Sequence, residues 1–342
     1  MNKSIQFQKC SASEESRLRA LQKVLEKTEK PFASGDSIGI KLHWGERGNK
    51  NYLAPVYARE IVKWLQAAGL KPFVFDTTVL YSGGRRDGQD SLNTAAKHGF
   101  TEEYLGCQVM IGDGLDGKSI IDLPAGFTHF ATVQTAKVVQ DADGFVILSH
   151  FKGHMEAGFG GSIKNISMGF ASRAQKQRMH ADAKPKLIKA KCIKCGECVD
   201  VCPTEAATMA DNDFPVYDRV KCIGCAQCIA MCPETALKII WDTDIKVFQE
   251  KLVETAAAVW RVIQKKTVVV NAVIDVVAEC DCLPGNHHRI AEDQGFISTY
   301  HPVLADAEAI ILLGAVPFDQ AHPNIPWQRQ FEYAKEIGFS NV

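Results

Sequence analysis

The sequence has no long, uninterrupted apolar run. Its most apolar stretch, TVVVNAVIDVVAEC at 267–280, is broken by Asn271, Asp275 and Glu279, whereas a membrane-spanning helix needs about eighteen or more consecutive apolar residues. The opening residues, MNKSIQFQKCSASEE, lack the apolar segment of a secretory signal. We therefore expect a cytoplasmic protein with no membrane partner.

The sequence also lacks an excess of charge of either sign. Thirty-nine Lys and Arg residues stand against forty Asp and Glu residues, and the basic residues are scattered along the chain. Nucleic-acid binding normally needs a basic surface, so we expect no nucleic-acid partner. A length of 342 residues with 46% hydrophobic residues predicts two or three domains with a full-sized core.

An α/β fold is predicted by the alternation of strand and helix patterns. SIGIKLHW reads as a strand, APVYAREIVKWLQAAG as an amphipathic helix and KPFVFDT as the next strand. An opening helix precedes them, with Ser11 or Ser13 as N-cap. Later segments, DADGFVILSHF, KVFQEKLVETAAAVWRVIQKK and TVVVNAVIDVV, predict a buried strand, a long helix and another strand. We expect a mixed or parallel sheet with helices on both faces.

Two tandem cysteine arrays interrupt this pattern. CIKCGECVDVCP at 192–203 recurs as CIGCAQCIAMCP at 222–233, offset by thirty residues. Each array has the spacing C-x2-C-x2-C-x3-C-P, which is typical of bacterial two-cluster ferredoxins. The repeat predicts a small α+β ferredoxin domain of two half-sites at 185–240. This domain is inserted in an α/β body formed by residues 1–184 and 241–342.

The array spacing also predicts the cluster ligands. In two-cluster ferredoxins the fourth cysteine of each array binds the other cluster. Structural zinc is the competing interpretation, but it uses isolated C-x2-C pairs and leaves half of each array unexplained. Two adjacent clusters favour an electron path over a purely structural role. The predicted ligand sets are Cys192, Cys195, Cys198 and Cys232 for one 4Fe-4S cluster, and Cys222, Cys225, Cys228 and Cys202 for the second.

A polar, glycine-rich segment follows the predicted buried strand. Loops at strand ends of an α/β sheet are where ligands bind, and lysine and histidine there offer a Schiff-base amine, acid/base groups or metal ligands. The candidate side chains are His150, Lys152, His154, Lys164 and His180. Four glycines would permit positive φ angles or close approach of the backbone to a ligand: Gly158, Gly160, Gly161 and Gly169.

Two further strand-end loops are rich in polar residues, and we expect all three loops to converge on one pocket. The first contains His43, Glu46 and Lys50, and the second contains Cys280, Asp281, Cys282, His287, His288 and Asp293. The Cys280-x-Cys282 pair with the downstream histidines is a candidate for a third metal site, although thiols in such places are as often inert or redox-labile.

Three other signals are interpreted as structural. GDGLDG at 112–117 matches a phosphate-binding glycine pattern, but KSIIDLP after it reads as a strand rather than a helix, so we expect a turn. Cys10 and Cys107 stand alone and are expected to be ordinary small buried or surface residues.

The motifs resemble those of a known family. SHFKGHMEAGFGGSIKNISMG before the arrays, and CDC with EDQGFISTYHPVLAD after them, resemble the uncharacterised iron–sulfur centre proteins called domain of unknown function 362. The resemblance spans about Ile38 to Ala307 and implies an inserted ferredoxin module. The pair His287 and His288 departs from the family's usual residues.

A weaker similarity concerns the polar segment alone. HMEAGFGGSIKNISMGFAS and the histidine after it are similar to a segment of nickel-pincer lactate racemases. In that comparison Lys164 corresponds to the lysine that tethers the cofactor and His180 to a nickel ligand, and His154 matches the first histidine. Met168 stands where the racemases have proline, and their S/T-H-R-P motif has no counterpart. The resemblance implies a pocket for an anion or a metallocofactor.

Three functions follow as hypotheses. The leading one is an oxidoreductase in which the two clusters relay single electrons to a substrate or metallocofactor in the α/β body, with Lys152, His154 and Lys164 as catalytic residues. The second is an electron carrier that docks on a redox partner protein. The third is a metal or cofactor delivery protein that uses Cys280, Cys282, His287 and His288 as transfer ligands.

Overall fold

The computed structural model describes residues 4–80, 83–180, 185–218, 221–222, 227–238 and 244–340. The strands in these ranges are β1 (Gln6–Lys9), β2 (Ser37–Lys41), β3 (Lys71–Asp76), β4 (Gln108–Ile111), β5 (Ile120–Pro124), β6 (Thr132–Ala136), β7 (Gly144–His150), β8 (Lys152–His154), β9 (Gly158–Gly160), β10 (Lys186–Leu187), β11 (Ala207–Met209), β12 (Pro215–Tyr217), β13 (Leu237–Lys238), β14 (Thr267–Val273) and β15 (Gly295–Thr299).

The α-helices are α1 (Glu14–Glu26), α2 (Pro55–Gln66), α3 (Gly88–Lys97), α4 (Glu102–Leu105), α5 (Val138–Asp141), α6 (Ser162–Phe170), α7 (Arg173–His180), α8 (Glu197–Asp200), α9 (Gln227–Met231), α10 (Ile245–Ile263), α11 (Pro302–Leu313), α12 (Val316–Ala321) and α13 (Arg329–Glu336). Among the described residues no helix is both long and apolar enough to cross a bilayer.

A seven-stranded mixed sheet forms the centre of the molecule. Its strand order is β1-β15-β14-β7-β2-β3-β4. The pairs from β14 through β7, β2 and β3 to β4 are parallel, while β15 runs antiparallel to both β14 and β1. Strand β7 is buried along its whole length, as expected for a parallel strand covered on both faces. The predicted mixed α/β fold is confirmed.

Apolar side chains of β7 alternate between two cores, one on each face of the sheet. Phe145 and Ile147 pack in the core that includes residues of α6 and α10, whereas Val146 and Leu148 pack in the core that includes residues of α1 and α2. Side chains of a strand alternate with a period of two, so this one strand supports both layers of helices. The prediction of helices on both faces is confirmed.

Several local predictions are confirmed. Helix α1 is capped by Ser13, whose side chain accepts a hydrogen bond from the backbone N–H of Ser16. Strand β5 follows the GDGLDG segment, so that segment is not a helix-opening phosphate loop. Cys10 is buried in the core and Cys107 is half-buried.

The described residues of 185–238, called the array unit below, carry the cysteine arrays and contribute no strand to the seven-stranded sheet. The chain leaves the sheet after α7 and returns to it through α10 and β14, and between them β10 pairs with β13 and β11 pairs with β12. The backbone conformation follows the sequence repeat: Glu205 and Thr235, which are thirty residues apart, both have left-handed φ angles, of 53° and 50°. Cys225 lies outside the described residues.

Candidate functional site

A large cavity lies where four neighbouring parallel strands of the sheet end. Its volume is about 820 Å³. Ligands of open α/β sheets bind at this edge, beyond the carboxyl ends of the strands. All three predicted polar loops line the cavity, through His43 and Glu46 after β2, through His150, Lys152 and His154 after β7, and through Cys280 and Cys282 after β14.

A tight turn brings the two cysteines of the last loop together. The backbone N–H of Leu283 donates to the carbonyl of Cys280 over 3.0 Å, and the N–H of Cys282 points at Cys280 Sγ over 3.4 Å. Lys164 Nζ, from α6, lies 3.3 Å from the same sulfur. Cys280 is buried. A hydrogen bond from Cys282 and the charge of Lys164 hold the pKa of the Cys280 thiol well below its usual value, although burial opposes them.

His154 completes this group. One potential ligand atom from each of His154, Cys280 and Cys282 lies within 4.8 Å of the others, and metal binding there stays a prediction. His154 Nδ1, however, accepts hydrogen bonds from the backbone N–H groups of Glu156 and Ala157, each over 3.1 Å. Nδ1 therefore carries no proton in the neutral ring, and the proton lies on Nε2. Burial lowers the pKa of His154, which favours this neutral form.

Lys152 and His150 are held by one buried carboxylate. Asp281 accepts from Lys152 Nζ over 2.7 Å and lies 3.1 Å from His150 Nδ1, and all three side chains are buried. Burial opposes the charge of Asp281, but Lys152 and His150 outweigh it and lower the pKa of this carboxyl. The positive charge of Lys152 is thus balanced by the Asp281 carboxylate. A role for Lys152 in binding an anion would require it to exchange Asp281 for the ligand.

A second charged network lies across the cavity, and apart from Glu46 no sequence pattern indicated its members. Asp76, at the end of β3, accepts from Lys41 over 2.9 Å and from Arg85 over 3.0 Å, and Arg85 also contacts Glu46 over 3.2 Å. Burial disfavours the Asp76 carboxylate, yet the two cations lower its pKa to about 2. Lys41 belongs to a strand that reads as core, so its sequence position gave no signal.

Lys176 of α7 is a further buried lysine on the cavity wall. Its Nζ donates to Thr77 Oγ1 over 2.7 Å and to the carbonyl of Thr78. Burial lowers the pKa of Lys176 to about 8, so its neutral form is accessible near physiological pH. Next to it, Gln177 Nε2 is buried and has no hydrogen-bond partner among the described residues.

Other predicted site residues lie elsewhere. Lys50 and His288 are exposed and do not line the cavity. His287 also lies outside the lining, where its ring contacts the carbonyl of Leu283 over 3.3 Å. Asp293 accepts a hydrogen bond from Arg17 of helix α1 over 2.7 Å. Its carboxylate therefore anchors this helix and does not line the cavity. The prediction that the histidine pair joins Cys280 and Cys282 was therefore wrong; His154 takes that place.

Gly160, Gly161 and Gly169 of the polar segment line the cavity, and the last two also pack closely against side chains. Of the four predicted glycines, Gly158 alone has a positive φ, of 75°. A Cβ at Gly161 would lie 2.3 Å from Asp306 Oδ1, and a Cβ at Gly169 would lie 2.4 Å from Lys41 Cε. Close approach of the backbone to a ligand stays a prediction; the close neighbours of Gly161 and Gly169 in the structure are side chains of the protein.

His180, the last residue of α7, also faces the cavity. Its Nδ1 lies 3.2 Å from a carboxylate oxygen of Glu156, and its ring stacks on Phe248. Lys164 and His180 thus line the same cavity, and a role for them in holding a cofactor stays a prediction.

Four array cysteines meet around a second, small cavity. Cys192, Cys195, Cys198 and Cys232 all line it, and they are the set predicted to bind the first cluster. Cys198 and Cys232 are buried and Cys195 is exposed. The other described array cysteines, Cys202, Cys222 and Cys228, are half-buried. That these residues bind iron stays a prediction.

The array unit packs directly on the wall of the central cavity. Helix α9 contacts α7, where Arg173 Nη2 lies 3.3 Å from Met231 Sδ. Arg86 Nη2 donates to the carbonyl of Cys232 over 2.7 Å, and its neighbour Arg85 lines the cavity. Helix α7 and the adjacent residues Arg85 and Arg86 thus connect the array unit to the wall of the central cavity.

Residues 38–310 match the family model described as domain of unknown function, DUF362. The chain belongs to this family. Comparison with curated proteins finds no match. The match covers both cysteine arrays and all of the loops that line the cavity, whereas helices α12 and α13 lie beyond it.

Two solved structures are similar to this DUF362 protein. One is the lactate racemase apoprotein from Thermoanaerobacterium thermosaccharolyticum, at 16% identity and a TM-score of 0.38, covering 79% of this chain and 51% of that chain. The other is a protein from Thermotoga maritima, at 11% identity and a TM-score of 0.46, covering 96% of this chain and 60% of that chain. The DUF362 protein thus spans little more than half the length of either structure.

Proposed function

We propose that this DUF362 protein is an iron–sulfur redox protein in which two 4Fe-4S clusters, bound by the eight array cysteines, supply single electrons to a substrate or cofactor in the central cavity. The observation that carries the proposal is the position of α7. One part of this helix places Lys176, Gln177 and His180 on the cavity wall, and another contacts the cysteine helix α9. An electron leaving the array unit would therefore have a short path into the cavity.

The donor set of the array unit fits iron–sulfur ligation. Thiolates are the ligands of such clusters, and hydrogen bonds to their sulfurs tune the reduction potential. Backbone N–H groups of Ala207 and Ala236 already point at Cys202 Sγ and Cys232 Sγ, over 3.4 Å and 3.2 Å. The two donors occupy similar places in the two halves of the repeat.

Electrons would enter the unit from the side of Cys195. This cysteine is exposed, and the neighbouring Ile193 leaves 61% of its surface exposed. An exposed apolar residue beside an electron-transfer centre suits transient contact with a redox partner protein. Cys232, in the same set, is buried and bonded to Arg86 on the cavity side. This ligand set thus has an exposed side at Cys195 and a side at Cys232 that faces the central cavity.

The cavity offers groups for binding a small, anionic or polar molecule. Lys164 and Lys176 supply two ammonium groups, and Gln177 supplies a buried amide N–H that no described residue accepts. A volume of about 820 Å³ is typical of small-molecule sites. His154 Nε2 and Lys176 are the groups best placed to move a proton, because burial keeps the His154 ring neutral and lowers the pKa of the Lys176 ammonium to about 8, close to neutral pH.

Anaerobic iron and sulfide analysis with EPR spectroscopy tests the proposal. Wild-type protein should contain about eight iron and eight sulfide per chain, and Cys198→Ser and Cys228→Ser should each change the signal of one cluster. The double variant Lys164→Ala, His180→Ala should keep the iron of the arrays, because both residues line the central cavity and not the small cavity of the cysteines. Zinc without sulfide in the wild type would overturn the proposal. Loss of a further metal in the double variant would instead make the cavity a metal-binding site.

A further inference from the structure

We propose that Cys280 and Cys282 form a dithiol–disulfide couple, which takes up two electrons and passes them to a small disulfide substrate in the central cavity. The couple itself is inferred from local geometry, whereas its electron source rests on the proposed function. Two one-electron clusters would together deliver the pair of electrons that one disulfide needs.

The turn at 280–283 holds the two sulfurs close to each other. Both sulfurs and His154 lie within a group whose ligand atoms are no more than 4.8 Å apart. The Cys282 N–H contact to Cys280 Sγ folds the first side chain back over the turn. A disulfide needs a sulfur–sulfur distance of about 2.05 Å, so the two side chains would have to move together from their present separation when the bond forms.

The two thiols are chemically unequal, as thiol exchange requires. Cys280 has Lys164 Nζ at 3.3 Å and two further donors, from Cys282 and His154. Its thiolate is therefore favoured, and the thiolate is the attacking form. The pKa of Cys282 is raised well above its usual value, because the neighbouring Cys280 thiolate accepts its proton in a hydrogen bond and burial adds to the effect. Cys282 is thus a protonated partner for the second step.

Bound metal is a less suitable explanation for this group. Coordination through His154 Nε2 would need the ring proton on Nδ1, where two backbone N–H groups already point. With the proton on Nε2, the ring instead donates to the Cys280 sulfur. The surroundings of Cys280 therefore stabilise a thiolate by hydrogen bonds and by the charge of Lys164, with no ion required.

The reaction balances with the components named. In the first step the Cys280 thiolate attacks one sulfur of the substrate disulfide, which forms a mixed disulfide and releases one substrate thiolate. In the second step the Cys282 sulfur attacks Cys280 Sγ and closes the protein disulfide, and the second substrate thiolate leaves with the Cys282 proton. Two electrons, one from each reduced cluster, and one proton then restore the Cys280 thiolate and the Cys282 thiol.

The remaining cysteines of the body supply internal controls. Cys10 is buried, and burial raises the pKa of its thiol to about 11. Burial also raises the pKa of Cys107 to about 11. Neither residue lines the cavity. Both should remain reduced thiols while Cys280 and Cys282 change state.

The experiment is an anaerobic redox titration of the intact protein with its iron, using oxidised and reduced dithiothreitol as the probe. Free thiols are trapped by alkylation and each cysteine is followed by peptide mass spectrometry. We expect the peptide with Cys280 and Cys282 to lose about 2 Da on oxidation, in a single two-electron transition. Cys282→Ser should instead trap the probe on Cys280, and Cys10→Ser should titrate as the wild type does. Independent alkylation of the two thiols at every potential would overturn the inference.

One-electron photoreduction separates the couple from its electron source. Starting from the protein disulfide and reduced clusters, we expect Cys280 and Cys282 to become free thiols in the wild type, whereas the Cys280–Cys282 disulfide should persist in protein stripped of iron. If the dithiothreitol titration shows the couple but the protein holds no clusters, the couple stands and the proposed function fails. If clusters are present and the disulfide never forms, the proposed function stands and the couple fails.

Discussion

Lys164 Nζ lies 3.3 Å from Cys280 Sγ, although the two residues are 116 positions apart in the chain. The contact joins helix α6, which follows the β8–β9 hairpin, to the turn that follows β14. Burial would disfavour the lysine charge, but the neighbouring Cys280 thiolate raises the pKa of Lys164 above its usual value. Each group therefore stabilises the charged form of the other, and the cavity holds a reactive thiolate beside an ammonium.

Replacing Lys164 with methionine should raise the pKa of the Cys280 thiol by about one unit or more, because an opposite charge within about 4–6 Å shifts a pKa by roughly 1–3 units. Alkylation of Cys280 at pH 7 should slow by about tenfold. The rate is measured against pH by peptide mass spectrometry. Lys50→Met is the matched control, because Lys50 is exposed and outside the cavity lining. Identical pH profiles for the two variants would show that Lys164 does not tune this thiol.

Asp281→Asn should destabilise the protein by about 3–5 kcal/mol at pH 7, because it leaves Lys152 buried without its partner charge. The pKa of Asp281 is lowered in the folded state. Its contribution is therefore complete above the unfolded value of about 3.9 and is lost as the pH falls through the lower folded value.

Urea unfolding curves for the wild type, Asp281→Asn and the exposed control Asp122→Asn test this prediction. The wild type should lose stability steeply below about pH 4, and the Asp281→Asn curve should be flatter in that range. Equal free energies of unfolding at pH 7 for the two variants would contradict a structural role for the Lys152–Asp281 pair.

Sequence patterns predicted the architecture because each main strand and helix had its own periodicity. The convergence of the three polar loops also followed from topology, since carboxyl ends of parallel strands share one edge of a sheet. The charged residues of the opposite cavity wall could not be predicted from strand topology. Lys41 lies inside a strand and Lys176 inside a helix, where charged residues normally indicate an exposed face.

Contacts between residues distant in sequence explain why His154, and not the His287–His288 pair, lies beside the two cysteines. His287 and His288 are close to Cys282 in sequence, but the chain turns away through Pro284 and Gly285, and His288 becomes exposed. His154 reaches the cysteines from another loop. A single sequence carries no record of such contacts, because they depend on how the β8–β9 hairpin packs against the 277–283 segment.

That packing gives a third prediction, at Gly153. A Cβ at this position would lie 2.2 Å from the carbonyl oxygen of Ala278, a backbone atom that cannot move aside. Gly153→Ala should therefore separate the hairpin from the segment that leads to Cys280. We expect a loss of at least about 2 kcal/mol in unfolding free energy and faster alkylation of Cys280. Gly126→Ala is the control, because its φ of 65° costs strain while nothing lies within 4 Å. It should cost about 1 kcal/mol and leave Cys280 unchanged.

Docking of the array unit gives the last prediction. Arg86 Nη2 donates to the carbonyl of Cys232 in a half-buried hydrogen bond, and a bond from a charged donor contributes about 1.5–3 kcal/mol. Arg86→Ala should therefore increase hydrogen–deuterium exchange of residues 227–236 by at least about tenfold. Lys118→Ala removes the exposed ion pair with Glu197 on the same unit, which contributes little, so exchange should stay near that of the wild type. Similar exchange in both variants would mean that Arg86 does not hold the cysteines against the cavity wall, and the short electron path inferred from α7 would lose its support on this side.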